Sequence, residues 1–259
     1  MGRQQLPVTS EGTPDEALAR RRARLLHRIG LRFQTLTELV QIDTMTVDFT
    51  RIADPNRLLN ATRDDAIQFP YWAELWDSAL AVALHLTDHR PLTPGHFSTL
   101  DLGCGMGFAG TVAARLGHRV LFADLDPDAL LFAQINNLHA GARVRTRRVN
   151  WHTDQLGESF DLILGADIIY ERKQWESLET FWRAHLAPDG QVLLGEPGRP
   201  SGDLFQPWIR QKGWTLQMIN RNISRRESPI RLFLLRPPLS PGEQSEPERR
   251  FPLSNSSIS

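Results

Sequence analysis

Thr99-Leu100-Asp101-Leu102-Gly103-Cys104-Gly105-Met106-Gly107 is the stretch on which the reading of this chain turns. A short strand, residues 99–102, runs into a glycine cluster, and a helix over 109–116 follows. Glycines let the backbone turn sharply and approach a ligand with no Cβ in the way. The helix N-terminus beyond them offers free N–H groups. The segment therefore predicts a ligand cradle at the end of a strand. Its spacing admits two cofactors. Gly105-Met106-Gly107-Phe108-Ala109-Gly110 satisfies the dinucleotide pattern G-x-G-x-x-G. In either reading Asp124 ends the second strand, where a carboxylate can accept both hydroxyl hydrogens of a ribose.

Working outward, the punctuation is regular. Gly117 lies at the C-terminal end of the first helix, where a left-handed cap is easiest for glycine. A strand is predicted over 119–123. Pro127 suits the first turn of a helix running to about residue 139, with Gly141 after it. Strands follow at 144–149 and 161–165, then a helix over 173–185. Pro188-Asp189-Gly190 reads as a turn into a strand over 191–194. A helix over 204–211 and strands over 214–219 and 231–235 finish the series. Such alternation predicts an α/β, Rossmann-like fold, a mostly parallel sheet with helices on both faces. The short connection between the last two strands predicts an antiparallel hairpin at one sheet edge. Trp175 and Trp182, seven apart on one helical face, are expected in the core.

Upstream, a helix is predicted from Asp15, with Arg20–Arg24 forming a solvated face or a contact for an acidic partner. Residues 40–52 suggest one or two strands, Asp54-Pro55-Asn56 a turn, and 76–86 another helix, with 91–95 ending that unit. Residues 1–14 and 238–259 have the composition of disordered ends. The layout is thus an N-terminal helical and β extension over 15–73 and a main domain over 74–237. There is no internal repeat.

The 30 basic and 30 acidic residues cancel, so no global attraction to nucleic acid or to an anionic membrane is implied. No apolar run approaches the roughly 20 residues of a membrane helix. One cysteine, Cys104, permits no internal disulfide and suits a reducing compartment. A cytoplasmic protein is expected. The eight histidines show no metal-ligand spacing, so no metal site is predicted. Cys104 reads as a small residue in a tight turn and not as a nucleophile.

Two features choose between the cofactors. Asp101, two residues before Gly103, is expected to face a positively charged amino-acid group and would be a poor neighbour for a pyrophosphate. The acidic Asp124-Leu125-Asp126-Pro127 suits a cationic sulfonium better than a dianion. Both favour S-adenosylmethionine over NAD.

With these residues in view, the sequence resembles the class I, seven-strand S-adenosylmethionine-dependent methyltransferases. Residues 99–107 resemble the family's first motif and 122–127 its second-strand acid. Leu75-Trp76-Asp77-Ser78-Ala79 and Gly165-Ala166-Asp167-Ile168-Ile169-Tyr170-Glu171, the latter carrying a D-x-x-Y motif, resemble one branch more narrowly. That branch holds protein-lysine methyltransferases and nicotinamide N-methyltransferase-like proteins. The resemblance covers about residues 70–237 and implies a seven-stranded sheet. It implies that Trp76 packs on the cofactor and that Gly103, Cys104, Gly105 and Gly107 line its methionine portion. Asp124, with Leu125, would hold the ribose. Asn150 and Trp151 would border the adenine, and Ala166 would lend backbone beside the reactive end. Asn150 stands where many relatives have Asp. Pro70-Tyr71-Trp72-Ala73 is close to a segment of some relatives, and Glu196-Pro197-Gly198-Arg199 is similar to the nicotinamide-labelled ones.

Methyl transfer from a sulfonium is a direct displacement, with the nucleophile about 3 Å from the methyl carbon. A lysine amine has a pKa of about 10.4 in water and attacks only when neutral. Asp167 is expected to orient the attacking nitrogen by accepting a hydrogen bond. Tyr170 would line the acceptor channel, its ring facing a cation. The acceptor implied is a protein lysine, or alternatively a small-molecule amine. An NAD(P)-linked oxidoreductase is the more distant reading, since no proton-relay pair is evident. A silent cofactor-binding module is the remaining one.

Overall fold

The computed structural model describes residues 13–59, 70–89 and 97–238. The segments read as disordered lie almost wholly outside these residues, as does the unit end at 91–95. Thr13 and Pro14 are inside, and they move the first helix one residue earlier than expected. Thr13 Oγ1 accepts from the Glu16 N–H and Glu16 accepts from the Thr13 N–H, a reciprocal cap on α1 (Pro14–Gly30).

Next come β1 (Thr35–Ile42) and β2 (Met45–Ile52), an antiparallel pair, and a one-turn α2 (Asn56–Leu59). The main body starts with α3 (Asp77–Asp88). It continues with β3 (Ser98–Leu102), α4 (Phe108–Arg115), β4 (Arg119–Asp124), α5 (Pro127–Asn136) and β5 (Val144–Arg148). Then follow β6 (Phe160–Ala166), α6 (Trp175–His185), β7 (Leu186–Glu196), α7 (Pro200–Gln211), β8 (Thr215–Arg221) and β9 (Ile230–Arg236).

The seven main strands form one sheet in the order β5-β4-β3-β6-β7-β9-β8. The first five are parallel, and β9 runs antiparallel between β7 and β8. This is the expected fold, edge hairpin included. Strand order reverses between β3 and β6, and the C-terminal ends of strands at such a switch point are where open α/β sheets bind ligands.

Several boundaries differ from expectation: β1 starts at Thr35 and not at residue 40, and α5 ends at Asn136 and not near 139. Residues 188–190 do not break β7. Phe160 pairs with Leu186 and Leu162 with Gln191, so 187–190 bulge out of a strand that resumes on the far side. Helix α7 begins at Pro200, one turn before residue 204, because Pro is favoured at a first helical position.

Each sheet face has its own core. On one face α3, α4 and α5 pack with α1 and the β1–β2 pair around Phe49, Phe108, Phe122 and Phe132. On the other, α6 and α7 pack around Trp175, Trp182, Phe205 and Phe233. The two tryptophans are core residues, as their spacing suggested. Beside the core that the N-terminal extension shares with the main body, Arg32 pairs with Asp128, Arg115 Nη1 donates to Thr46 O at 2.7 Å, and one amide links the extension to the glycine turn. Asn136 of α5 accepts from Thr50 N and donates to Thr50 O and to Met106 O in the glycine turn, at 2.8, 3.0 and 3.1 Å. Among the described residues no helix is long and apolar enough to cross a membrane.

Candidate active site

The turn between β3 and α4 takes three left-handed glycines, with φ of +63° at Gly103, +53° at Gly105 and +83° at Gly107. A Cβ on Gly103 would lie 2.9 Å from Ile168 Cγ2, so only glycine lets the turn sit this close to the end of β6. Asp124 organises the turn from the neighbouring strand. Its carboxylate accepts from Gly105 N at 2.8 Å and from Asp126 N at 2.9 Å. Burial raises this carboxyl above its ordinary range, and those N–H groups work against the shift. The Cys104 thiol is pushed up mainly by burial, with Asp124 and Asp101 adding to it, which makes it a poor nucleophile.

A cavity of about 480 Å³ opens over this turn. Gly103, Cys104, Gly105, Asp124 and Leu125 form its floor; Trp76, Trp151, Ala166, Asp167 and Tyr170 form its sides. Most residues singled out in the sequence therefore meet in one space. Gly107 lies just behind it as the N-cap of α4.

Asp101 and Asn150 are placed otherwise than expected. Asp101 points into the protein behind the turn. It is 2% exposed, and its Oδ2 accepts from Gly110 N at 2.9 Å in α4. Asn150 is taken up by a local turn, its Oδ1 accepting from His152 N at 3.0 Å while its own N–H donates to Asp154. Arg148 stands at that edge of the cavity instead, its Nε donating to Leu125 O at 2.9 Å.

Burial, reinforced by Asp124 and opposed by the Gly110 N–H, moves the Asp101 carboxyl up to about 7. A carboxyl raised on folding favours the folded state while protonated. Its contribution is full below its unfolded pKa of about 3.9 and is lost as pH rises through about 7. Thermal melts of the wild-type protein should thus fall between pH 4.5 and 7.5 more steeply than those of Asp101→Asn, which stays neutral. Parallel curves would refute this role for Asp101.

The wall opposite the turn comes from residues 70–76. Trp72 packs against Phe33 and Phe132, with ring centroids 5.6 and 5.9 Å apart. Trp76 Nε1 donates to Tyr71 O at 2.8 Å. Phe49 of β2 also lines the cavity, edge-on to Phe108 at 5.0 Å. Phe49 carries no motif, and Trp72 is marked only as part of the 70–73 segment that resembles some relatives; the packing of the extension brings both to the site.

The third wall follows β6. Asp167 has a left-handed backbone, φ +57°, and its side chain is nearly buried. Arg199, after β7, grips both carboxylate oxygens, Nε to Oδ1 at 3.0 Å and Nη2 to Oδ2 at 2.6 Å. Tyr170 packs at a tilt 5.6 Å from Tyr71, which is 6.3 Å from Trp76, and the Arg199 guanidinium lies 5.8 Å from the Trp76 ring. Three aromatic rings and one ion pair therefore border the cavity beside Ala166. Among the described residues no group of three or more His, Cys, Asp or Glu is placed to hold a metal ion.

Residues 64–204, just over half of the chain, match the model of the family described as lysine methyltransferase. The chain belongs to the lysine methyltransferase family. It is 31% identical over 173 residues to the electron transfer flavoprotein beta subunit lysine methyltransferase of Danio rerio, covering 63% of this chain and 65% of that one. It is 34% identical over 142 residues to the protein N-lysine methyltransferase METTL21A of Xenopus tropicalis, covering 51% and 63%. The chain thus spans a little under two thirds of the length of these relatives. Among solved structures it is similar to the glycopeptide N-methyltransferase MtfA, at 15% identity and a TM-score of 0.51, over 63% of this chain and 92% of that one. That likeness is one of fold. The lysine methyltransferase match takes in the glycine turn, Asp124, Trp76, Trp151, Asp167, Tyr170 and Arg199. It leaves out α1, the β1–β2 pair and the β8–β9 hairpin.

Proposed function

We propose that this chain transfers a methyl group from S-adenosylmethionine to the side-chain amine of a lysine in a protein substrate. One observation carries the reading. The glycine turn that would cradle the cofactor and the Tyr71, Trp76, Tyr170 and Asp167 cluster line the same cavity. The residues present fit the cofactor. Gly103 and Gly105 leave bare backbone on the floor, Asp124 offers a carboxylate there, and Trp151 supplies a flat apolar face beside Gly103. Bound there, the cofactor supplies an activated methyl group together with its own leaving group.

The protein's share is position and charge. Aromatic rings receive a cation by their faces and an alkyl stem by their apolar bodies. A desolvated site lowers the pKa of an entering amine toward neutrality. Asp167 then accepts a hydrogen bond from the amine and fixes its direction. With a neutral overall charge and a lone thiol, the chain suits the cytoplasm as its place of action.

Incubating the protein with methyl-labelled cofactor and host lysate, then separating protein from small molecules, tests the reading. Label is expected in protein, on lysine by mass spectrometry. Label confined to small molecules would point to a metabolite amine and defeat the protein-lysine reading. Cofactor binding with no label anywhere would defeat the enzymatic one.

A further inference from the structure

The turn after β7 is constructed to deliver one guanidinium. Glu196, 1% exposed at the end of β7, accepts from Gly198 N at 3.0 Å and from the backbone N–H of Arg199, and it ion-pairs with Arg231 of β9. Arg231 Nη2 also donates to Arg199 O at 3.0 Å. From the β8–β9 loop, Arg226 Nη2 donates to Pro197 O at 3.0 Å. A four-residue turn is thus held by its own Glu196 and by two arginines from other elements. What it presents is the Arg199 fork, closed on both oxygens of Asp167.

The other charged and titratable groups facing this pair are few. Tyr170 follows β6, with Glu171 beside it, and Tyr71 comes from the opposite wall. Glu196 lies behind Arg199 and is itself balanced by Arg231. Arg199 is therefore the cation that offsets Asp167.

That offset matters for chemistry. A nearly buried carboxylate with no counter-charge stabilises an ammonium ion beside it. An amine arriving there would keep its proton, and its lone pair would stay blocked. With Arg199 in place the charge of Asp167 is cancelled, yet each carboxylate oxygen retains a lone pair for a further hydrogen bond. We propose that Arg199 is a positioning residue that sets the protonation of the acceptor: it cancels the charge of Asp167 so that an amine can bind there neutral, and it holds the carboxylate in the orientation that accepts the amine's hydrogen bond. This rests on the reading that the acceptor is an amine.

Arg199→Met removes the charge, and Arg199→Lys keeps it while losing the fork. For each, kcat and KM are measured from pH 6 to 10 on whichever amine the wild-type enzyme labels, and S-adenosylmethionine affinity is measured by calorimetry. Cofactor affinity should be unchanged in both. The rising limb of the kcat profile reports ionisation in the bound complex. In Arg199→Met it should move up by about one pH unit, so that a loss of about tenfold along the limb disappears at high pH. KM for the amine should not rise, because the wall has become more negative. Arg199→Lys should keep the wild-type limb with a lower plateau. If Arg199→Met does not fold, Arg199→Gln, which can still donate to Asp167 but carries no charge, makes the same comparison. A loss equal at every pH, or a limb in Arg199→Lys shifted as far as in Arg199→Met, overturns the proposal. Label in a small amine would defeat the protein-lysine reading and leave this comparison intact. Label on a non-basic atom overturns the proposal itself.

Discussion

Gly105→Ala is expected to weaken S-adenosylmethionine binding by about 30-fold or more, the equivalent of some 2 kcal/mol, while Gly141→Ala leaves binding unchanged. Both glycines have positive φ, +53° and +60°, and Gly141 with its ψ of −138° lies in a region that only glycine enters readily. An alanine at either is strained, by about 1–2 kcal/mol of stability or more. They differ in what a Cβ would meet. At Gly141 nothing lies within 4 Å; at Gly105 the Trp72 carbonyl oxygen lies 3.0 Å away. To make room, the turn must leave Asp124, which accepts its N–H, or residues 70–76 must move out. Either route displaces a wall of the same cavity. Melting curves should show a loss in both variants, and calorimetric titration a loss of binding only in Gly105→Ala. Equal binding losses would mean that the close approach of Trp72 to the turn is irrelevant to the cofactor.

That contrast shows where sequence information was sufficient. Strands and helices of the main body are bounded by glycines at 103, 117 and 141 and by Pro127, and such signals are local. The sheet could be read from them. Errors arose where a distant partner decides. Pro188-Asp189-Gly190 has turn chemistry, but pairing of β7 with β6 carries the strand past it as a bulge. Asp101 sits in a central strand buried on both faces, so alternation could not tell which way its carboxyl points. Its partner, Gly110 N, lies in the first turn of α4. Asn150 is a local case, its Oδ1 accepting from His152 N within its own turn.

The candidate site divides in the same way. The floor follows from motif spacing and was readable. The acceptor wall depends on contacts such as Arg199 to Asp167, 32 positions apart. The segment 196–199 attracted notice by resemblance, but nothing in its composition reveals which side chain it serves. Phe49 and Trp72 reach the cavity through distant partners: Asn136 joins β2 to the glycine turn, and Trp72 packs on Phe33 and Phe132.

Asp167→Asn should be the most damaging change on that acceptor wall. Asparagine tolerates the left-handed φ of +57° and keeps the shape of the side chain, so folding and cofactor affinity should survive. Two things are lost. The amine no longer meets a full carboxylate, and Arg199 is left uncompensated beside the acceptor. Removing one partner of a desolvated, hydrogen-bonded charge pair typically costs about 2–5 kcal/mol, which places the fall in kcat/KM at about 30-fold or more. KM for a cationic acceptor should rise, because the wall is now positive. That is opposite to the effect expected of Arg199→Met, and the opposition separates an electrostatic role from simple loss of structure. Asp167→Ala should lose at least as much activity. It should also melt earlier, since alanine cannot offset the left-handed backbone with a local hydrogen bond. Near-normal turnover in Asp167→Asn with intact cofactor binding would remove Asp167 from the acceptor site. Tyr170 and the ring cluster would then have to orient the amine without it.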